Sequence, residues 1–318
     1  MSESSDTWES LTALGETFTC YSSAMSTWVA WSEPSWTRSV NPGLWLTLSE
    51  AGDGLFGFSH FPPSLRESLG LVRHASDDAE EAVAAILGEV DRSGRAIVAA
   101  DGFHLPWHVA FGKRHVPHWF VLGALSEGLM VVDPFACRNE LGWQSPARQL
   151  VEERALPGLI AALPHDDPVF VLREAFAFGD DARPLAPGRF HWFAHADVDG
   201  VRAPQGTAGP DAVRRLAKHF RDHNQDPGAY RQVDDLWSIA RHRAFLAGWA
   251  AKVAELRGWV EQHAHPLARR WAHIPPLLMQ ATLALGAGRT ASASVSDTLE
   301  ELAGREVEAG AALPDSPP

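Results

Sequence analysis

Residues 118–134 read His-Trp-Phe-Val-Leu-Gly-Ala-Leu-Ser-Glu-Gly-Leu-Met-Val-Val-Asp-Pro. Two apolar runs, rich in aromatic and β-branched residues, flank a short polar break. That is the pattern of a β-hairpin. The strands expected are 118–124 and 128–132, with Ser126 and Glu127 near the turn. The hairpin opens on His118 and closes on Asp133, just before Pro134. An Asp before Pro is also a common turn former. A histidine and an aspartate on adjacent strands are equally what a general base and its orienting carboxylate need.

Upstream, Cys20 follows Thr17-Phe18-Thr19 and opens a run of small and apolar residues to about Trp31. Ser22, Ser23, Ala24, Ser26 and Ala30 permit close packing, so the run reads as a buried helix. A cysteine in the first turn of a helix feels the positive end of its dipole, which favours the thiolate. Taken alone, a free cysteine is more often a small core residue. Together with His118 and Asp133, Cys20 becomes a candidate nucleophile, and a covalent acyl-enzyme is the leading expectation. Cys137 lies in a loop after a strand end and reads as a bystander.

His115 competes with His118 for the role of base. Three positions apart on a strand, the two face opposite sides, and only His118 begins the apolar run. Asp101, His104 and His115 are candidate pocket residues. The set His104, His108, His115 and His118 lacks an H-E-x-x-H or Cys/His zinc pattern, so no metal is expected.

Around this hairpin the rest of the chain falls into order. Residues 34–63 read as loops with short strands. Residues 77–90 form an amphipathic helix capped by Asp77 or Asp78 and ended by Gly94. A buried strand is expected at 95–100, a short helix at 145–150 and a closing strand at 168–172. A helix followed by a mostly antiparallel sheet suits an α+β domain. No glycine-rich phosphate loop follows a strand, which argues against a nucleotide fold. Composition shifts to Pro, Gly and Ala at 181–210, read as a linker. From 211 the pattern turns helical, with runs at 211–221, 233–261, 277–285 and 295–309, and a disordered tail at 314–318. The expected domains are therefore 1–180, a linker at 181–210, and a helical domain at 211–318. A second His-Trp-Phe, at 191, reads as coincidence.

The chain has 318 residues, 45% of them hydrophobic and 21% charged, which is globular composition. A net charge of −13 argues against general nucleic-acid binding. Two cysteines in such a length do not make a disulfide scaffold. Residues 1–10 have no basic n-region or apolar h-region, and no run reaches the roughly 20 apolar residues of a membrane helix. A cytoplasmic protein with no membrane association fits best. Thirteen Trp residues suit a Trp-rich core. Arg214, Arg215, Lys218, Arg221, Arg241 and Arg243 lie on expected helices, where a solvated face competes with a docking patch for an acidic partner.

These residues carry a family resemblance. Cys20 before a helix, the run Val98-Ala99-Ala100-Asp101-Gly102-Phe103-His104-Leu105-Pro106-Trp107, then His115-Val116-Pro117-His118-Trp119-Phe120-Val121-Leu122-Gly123 and Val131-Val132-Asp133-Pro134 resemble the butirosin biosynthesis protein H family. Arg241-His242-Arg243-Ala244-Phe245-Leu246 extends the resemblance into the helical part. The His and Asp segments are also similar to those of bacteriocin-leader peptidases. The resemblance implies a papain-like domain, α+β in class, followed by an α-helical domain. It implies an acyltransferase of natural-product (antibiotic) biosynthesis, moving an acyl group from a phosphopantetheine thioester on an acyl carrier protein to a small-molecule amine. No bound cofactor is implied. On this reading Cys20 is the nucleophile, His118 the base and Asp133 its orienter. Related peptidases carry a Gln before the Cys as oxyanion donor. Here Glu16, Thr17, Phe18 and Thr19 stand there instead. The Cys20 backbone N–H with the Thr17 or Thr19 hydroxyl is the expected substitute. Two other readings stay open: a cysteine peptidase or amidase on the same triad, and a non-catalytic scaffold of a biosynthetic complex. Oligomeric state is not encoded in these patterns.

Overall fold

The computed structural model describes residues 5–33, 35–40, 43–44, 46–60, 69–162, 188–195 and 205–313. In chain order the main elements begin with helices α1 (Ser5–Thr12) and α2 (Cys20–Ala30) and strands β1 (Thr47–Gly52), β2 (Leu55–Ser59) and β3 (Leu71–Ser76). Next come helix α3 (Ala79–Ser93) and strands β4 (Arg95–Asp101), β5 (Pro117–Leu125), β6 (Gly128–Asp133), β7 (Cys137–Asn139) and β8 (Gly142–Gln144). Strands β9 (Ala147–Val151), β10 (Phe190–His195) and β11 (Thr207–Ala208) precede helices α4 (Gly209–Asp222), α5 (Val233–Ala250), α6 (His265–Trp271), α7 (Ile274–Gly286) and α8 (Ser294–Ala312). The fold is thus mixed α and β, with antiparallel sheets and a helical C-terminal region.

The chain divides into two compact units, Met1–Asn41 with Ser64–Ala203, and Pro42–Pro63 with Pro204–Pro318. The first is built on a six-stranded sheet in the order β3-β10-β4-β5-β6-β9, every pairing antiparallel. Helix α3 starts where Asp78 accepts hydrogen bonds from the Glu80 and Glu81 amides, and it stops at Gly94, whose φ of 79° suits a residue without Cβ. Its Ala82, Ile86 and Val90 pack on Val98, Ala100, Phe120, Leu122 and Trp192 of the sheet.

Helix α2 packs on β4, β5 and β6. Every residue from Tyr21 to Ala30 is buried, as the small side chains foretold. Gly123 points away from the α3 layer. A Cβ there would stand 1.9 Å from the Trp31 ring, so glycine is needed for α2 to lie this close to the sheet. α2 and α3 therefore cover opposite faces of the sheet.

Three elements that differ from expectation stand out: the helix expected over 233–261 ends at Ala250, with separate short helical turns from Ala254 onward, and two strands lie where none was expected. Residues 147–151 form a strand on the edge of β6 where a helix was expected at 145–150. Ala, Arg, Gln and Leu are good helix formers, but the open β6 edge supplies hydrogen bonds that outweigh that small preference. Strand β10 lies inside the segment read as a linker, 181–210, and pairs with both β3 and β4. The two His-Trp-Phe runs thus flank β4 in one sheet, with the Trp119 and Phe193 rings 5.4 Å apart. The strand expected at 168–172 and the tail 314–318 lie outside the described residues.

The second unit holds a three-stranded sheet, β11-β1-β2, and the helices α4 to α8. β1 and β2 turn at Asp53 and Gly54, with φ of 50° and 73°, as a tight hairpin requires. Gln232 clamps β2, its side-chain oxygen accepting from Phe56 N at 2.8 Å and its nitrogen donating to Phe56 O at 2.7 Å. Helix α7 starts three residues before the run expected at 277–285, taking Pro275 and Pro276 into its first turn, where proline costs no hydrogen bond. Among the described residues no helix is long and apolar enough to cross a membrane.

Candidate active site

Local chemistry fixes where α2 begins. The Thr19 hydroxyl accepts from Ser22 N at 3.1 Å, and the Ser22 hydroxyl accepts from Thr19 N at 2.8 Å. This reciprocal cap makes Cys20 the first helical residue. Its side chain is partly exposed, that of Cys137 is buried, and neither cysteine is in a disulfide.

His118 is the second residue of β5, and Asp133 the last of β6. Val121 pairs with Val132, which sets Asp133 opposite Phe120 and diagonal to His118 on one face. His118 Nε2 lies 2.7 Å from Asp133 Oδ2, and both side chains are buried. The Cys20 thiol hydrogen-bonds the same imidazole. With Nε2 committed to Asp133, Nδ1 is the nitrogen left for the sulfur. The three residues singled out in the sequence are therefore brought together.

Burial alone would drive the His118 pKa down. The Asp133 charge and hydrogen bond, with the Cys20 contact, outweigh it and raise the pKa to about 10. At neutral pH His118 is an imidazolium between a carboxylate and a sulfur.

The surroundings hold this arrangement. Trp107 Nε1 donates to Asp133 Oδ2 at 3.1 Å, and Phe135 N donates to Asp133 Oδ1 at 3.2 Å. His108 packs its ring 4.4 Å from that of His118, while its Nδ1 accepts from Ala110 N. Burial, and then the neighbouring His118 charge, push the His108 pKa down to about 2, so it stays neutral. Neither role was legible in the sequence, because the 102–116 loop that carries both residues has no period to read.

The oxyanion candidates fare differently. The Thr17 hydroxyl donates to Leu14 O at 2.7 Å, and the Thr19 hydroxyl belongs to the cap with Ser22. Both hydroxyl protons are already engaged. The backbone N–H of Cys20, in a first turn with no intrahelical acceptor, is the donor that geometry leaves. Asp101 and His115 pair with each other, Nδ1 to Oδ2 at 2.5 Å, and His104 stands beside them.

The cations considered for docking all have partners. Arg214 pairs with Asp211, Arg215 with Glu50, Lys218 with Asp222 and Arg221 with Glu300. Arg241 lies over the Trp237 ring, and Arg243 is buried against Glu306. Five of the six are thus paired with a carboxylate and Arg241 with an aromatic ring, so these helices present no cluster of unpaired charge in support of the docking reading. No protein-family model and no curated protein matches the chain.

Proposed function

We propose that this chain is a cysteine-dependent acyltransferase of papain-like layout, acting on an acyl thioester and a small amine in cytoplasmic specialised metabolism. The observation that carries the reading is one imidazole, His118, joined to Cys20 on one side and Asp133 on the other. A nucleophile at a helix start, with its base and orienter on two neighbouring antiparallel strands, is the arrangement of papain-like cysteine enzymes. The resemblance to the butirosin biosynthesis protein H family supplies the substrate class, with an acyl carrier protein bearing phosphopantetheine as donor.

The chemistry follows from the charge states. The Cys20 thiolate attacks the thioester carbonyl, the C–S bond to the donor breaks, and His118 protonates the departing thiolate. Acyl-Cys20 and a neutral imidazole remain. The amine then attacks acyl-Cys20, His118 takes the amine proton, and the amide leaves with thiolate and imidazolium restored. A thioester is already activated, which suits a site whose oxyanion support is a backbone N–H rather than a side-chain amide.

The test is intact-mass analysis after mixing the protein with an acyl-N-acetylcysteamine thioester, followed by an amine. The expected result is an acyl adduct on wild type, discharged by the amine and absent in Cys20→Ala, which stays folded. Turnover unchanged in Cys20→Ala overturns the reading, and discharge by water at the same rate without amine turns it toward hydrolysis.

A further inference from the structure

We propose that Asp101, His104 and His115 form a binding site for a divalent transition metal of the zinc type, open to solvent where the protein ligands end. One ligand atom from each of the three lies within 4.8 Å of the other two. Two imidazoles and one carboxylate are a donor set suited to such ions, with water completing the coordination.

The cluster is built rather than accidental. Asp101 is fully buried, and its Oδ1 accepts from Phe103 N at 3.0 Å and Val116 N at 3.1 Å. Those two amides fix the carboxylate and turn Oδ2 outward to His115. Supports of this kind orient a ligating carboxylate. His104 follows on a single turn of 3₁₀ helix, Gly102–His104, in which residues three apart eclipse, so His104 stands over Asp101. The Phe103 ring stacks on His115 at 4.4 Å and meets His104 edge-on at 5.1 Å, holding both imidazoles. Gly102 makes the turn tight enough, since a Cβ there would come within 2.7 Å of His108 Nδ1 and 2.8 Å of Val116 Cγ2.

His104 and the His115 side chain are exposed, so an ion reaches them from solvent. On binding, Asp101 Oδ2 and His115 Nδ1 move apart from 2.5 Å to share the ion instead of a proton. The metal would tie together both ends of the 101–116 segment. That segment carries Trp107 and His108, which touch Asp133 and His118. The proposal does not depend on the acyltransferase reading, because the three ligands lie outside the Cys20–His118–Asp133 set.

The experiment uses the full chain carrying Cys20→Ser, so that no partly exposed thiol competes. Co²⁺ is titrated and followed by its visible absorption, then displaced with Zn²⁺, and thermal melts are recorded with and without Zn²⁺. Expected are one equivalent of Co²⁺, displacement by Zn²⁺ and a rise in Tm with Zn²⁺. Affinity should fall by at least about tenfold in His104→Ala and in His115→Ala. His104 is exposed, so its variant retains the fold, and His104→Gln supplies a second one. Absence of stoichiometric binding at micromolar metal, or binding undiminished by both alanine variants, overturns the proposal.

Discussion

His118 is where burial and charge act against each other, and the charge wins. A buried imidazole ordinarily loses its proton, but Asp133 and Cys20 hold it on until about pH 10. The sign for stability follows. A raised folded pKa contributes stability that is complete below about pH 6.5 and is lost as pH rises through about 10. In the proposed reaction the same proton is the acid for the departing thiolate, so acyl loading should fall on an alkaline limb near pH 10. Asp133→Asn removes the charge that holds the proton. Transfer should drop by about a hundredfold or more, and the alkaline limb should move to lower pH. Trp107→Phe deletes the N–H donated to Asp133 Oδ2 while keeping an aromatic ring. As a positioning residue it should cost about tenfold, with the melting temperature nearly unchanged and the alkaline limb displaced. A pH–rate profile of each variant checks both, and limbs that coincide with wild type would contradict this role for the pair.

At the scale of elements, the close seat of α2 on β5 depends on Gly123. Gly123→Ala puts a methyl into the Trp31 ring and should destabilise by about 1–3 kcal/mol, read as a lower midpoint in urea. An unchanged midpoint would mean that Trp31 has free space to move into. Elements whose signals are local were legible beforehand. Helix α2, the cap at Asp78, the stop at Gly94 and the β5–β6 hairpin follow from residues within a few positions of each other. The His118–Asp133 pair was legible for the same reason, because one hairpin carries both. Strand β9 was not, since its residues favour helix and only the neighbouring β6 edge makes it extended. Strand β10 was hidden in a Pro- and Gly-rich stretch and is specified by partners on both sides, β3 and β4. The Trp107 and His108 contacts are equally non-local.

Over the whole molecule, several histidines are folded in neutral form. In the second unit His60 and His242 are buried with their Nδ1 atoms 2.5 Å apart. Burial and then Arg243 lower His60 to about 3, and burial and then His60 lower His242 well below its ordinary value. His108 in the first unit behaves likewise. A lowered folded pKa contributes stability that is present above about pH 6.5 and lost as pH falls toward the folded value. Each such histidine adds a slope of about 1.4 kcal/mol per pH unit across that window. Chemical denaturation between pH 7 and 4 should show this loss, reduced by one proton's slope in His60→Gln; an identical slope in that variant would contradict it. Domain organisation was legible only in outline. The compact units cut the chain differently from the expected 1–180, 181–210 and 211–318: β10 of the first unit's sheet lies in the segment read as a linker, and 42–63 joins the C-terminal unit, where β1 pairs with β11. The central claim, that this fold assembles an activated Cys20, is tested most directly by the rate of iodoacetamide alkylation against pH. It is read by intact mass on wild type, Cys20→Ser and His118→Ala. The account predicts fast single alkylation persisting well below the ordinary thiol pKa of about 8.5, absent in Cys20→Ser and moved to higher pH in His118→Ala. A Cys20 that reacts slowly, titrates near 8.5 and is indifferent to His118→Ala would contradict it.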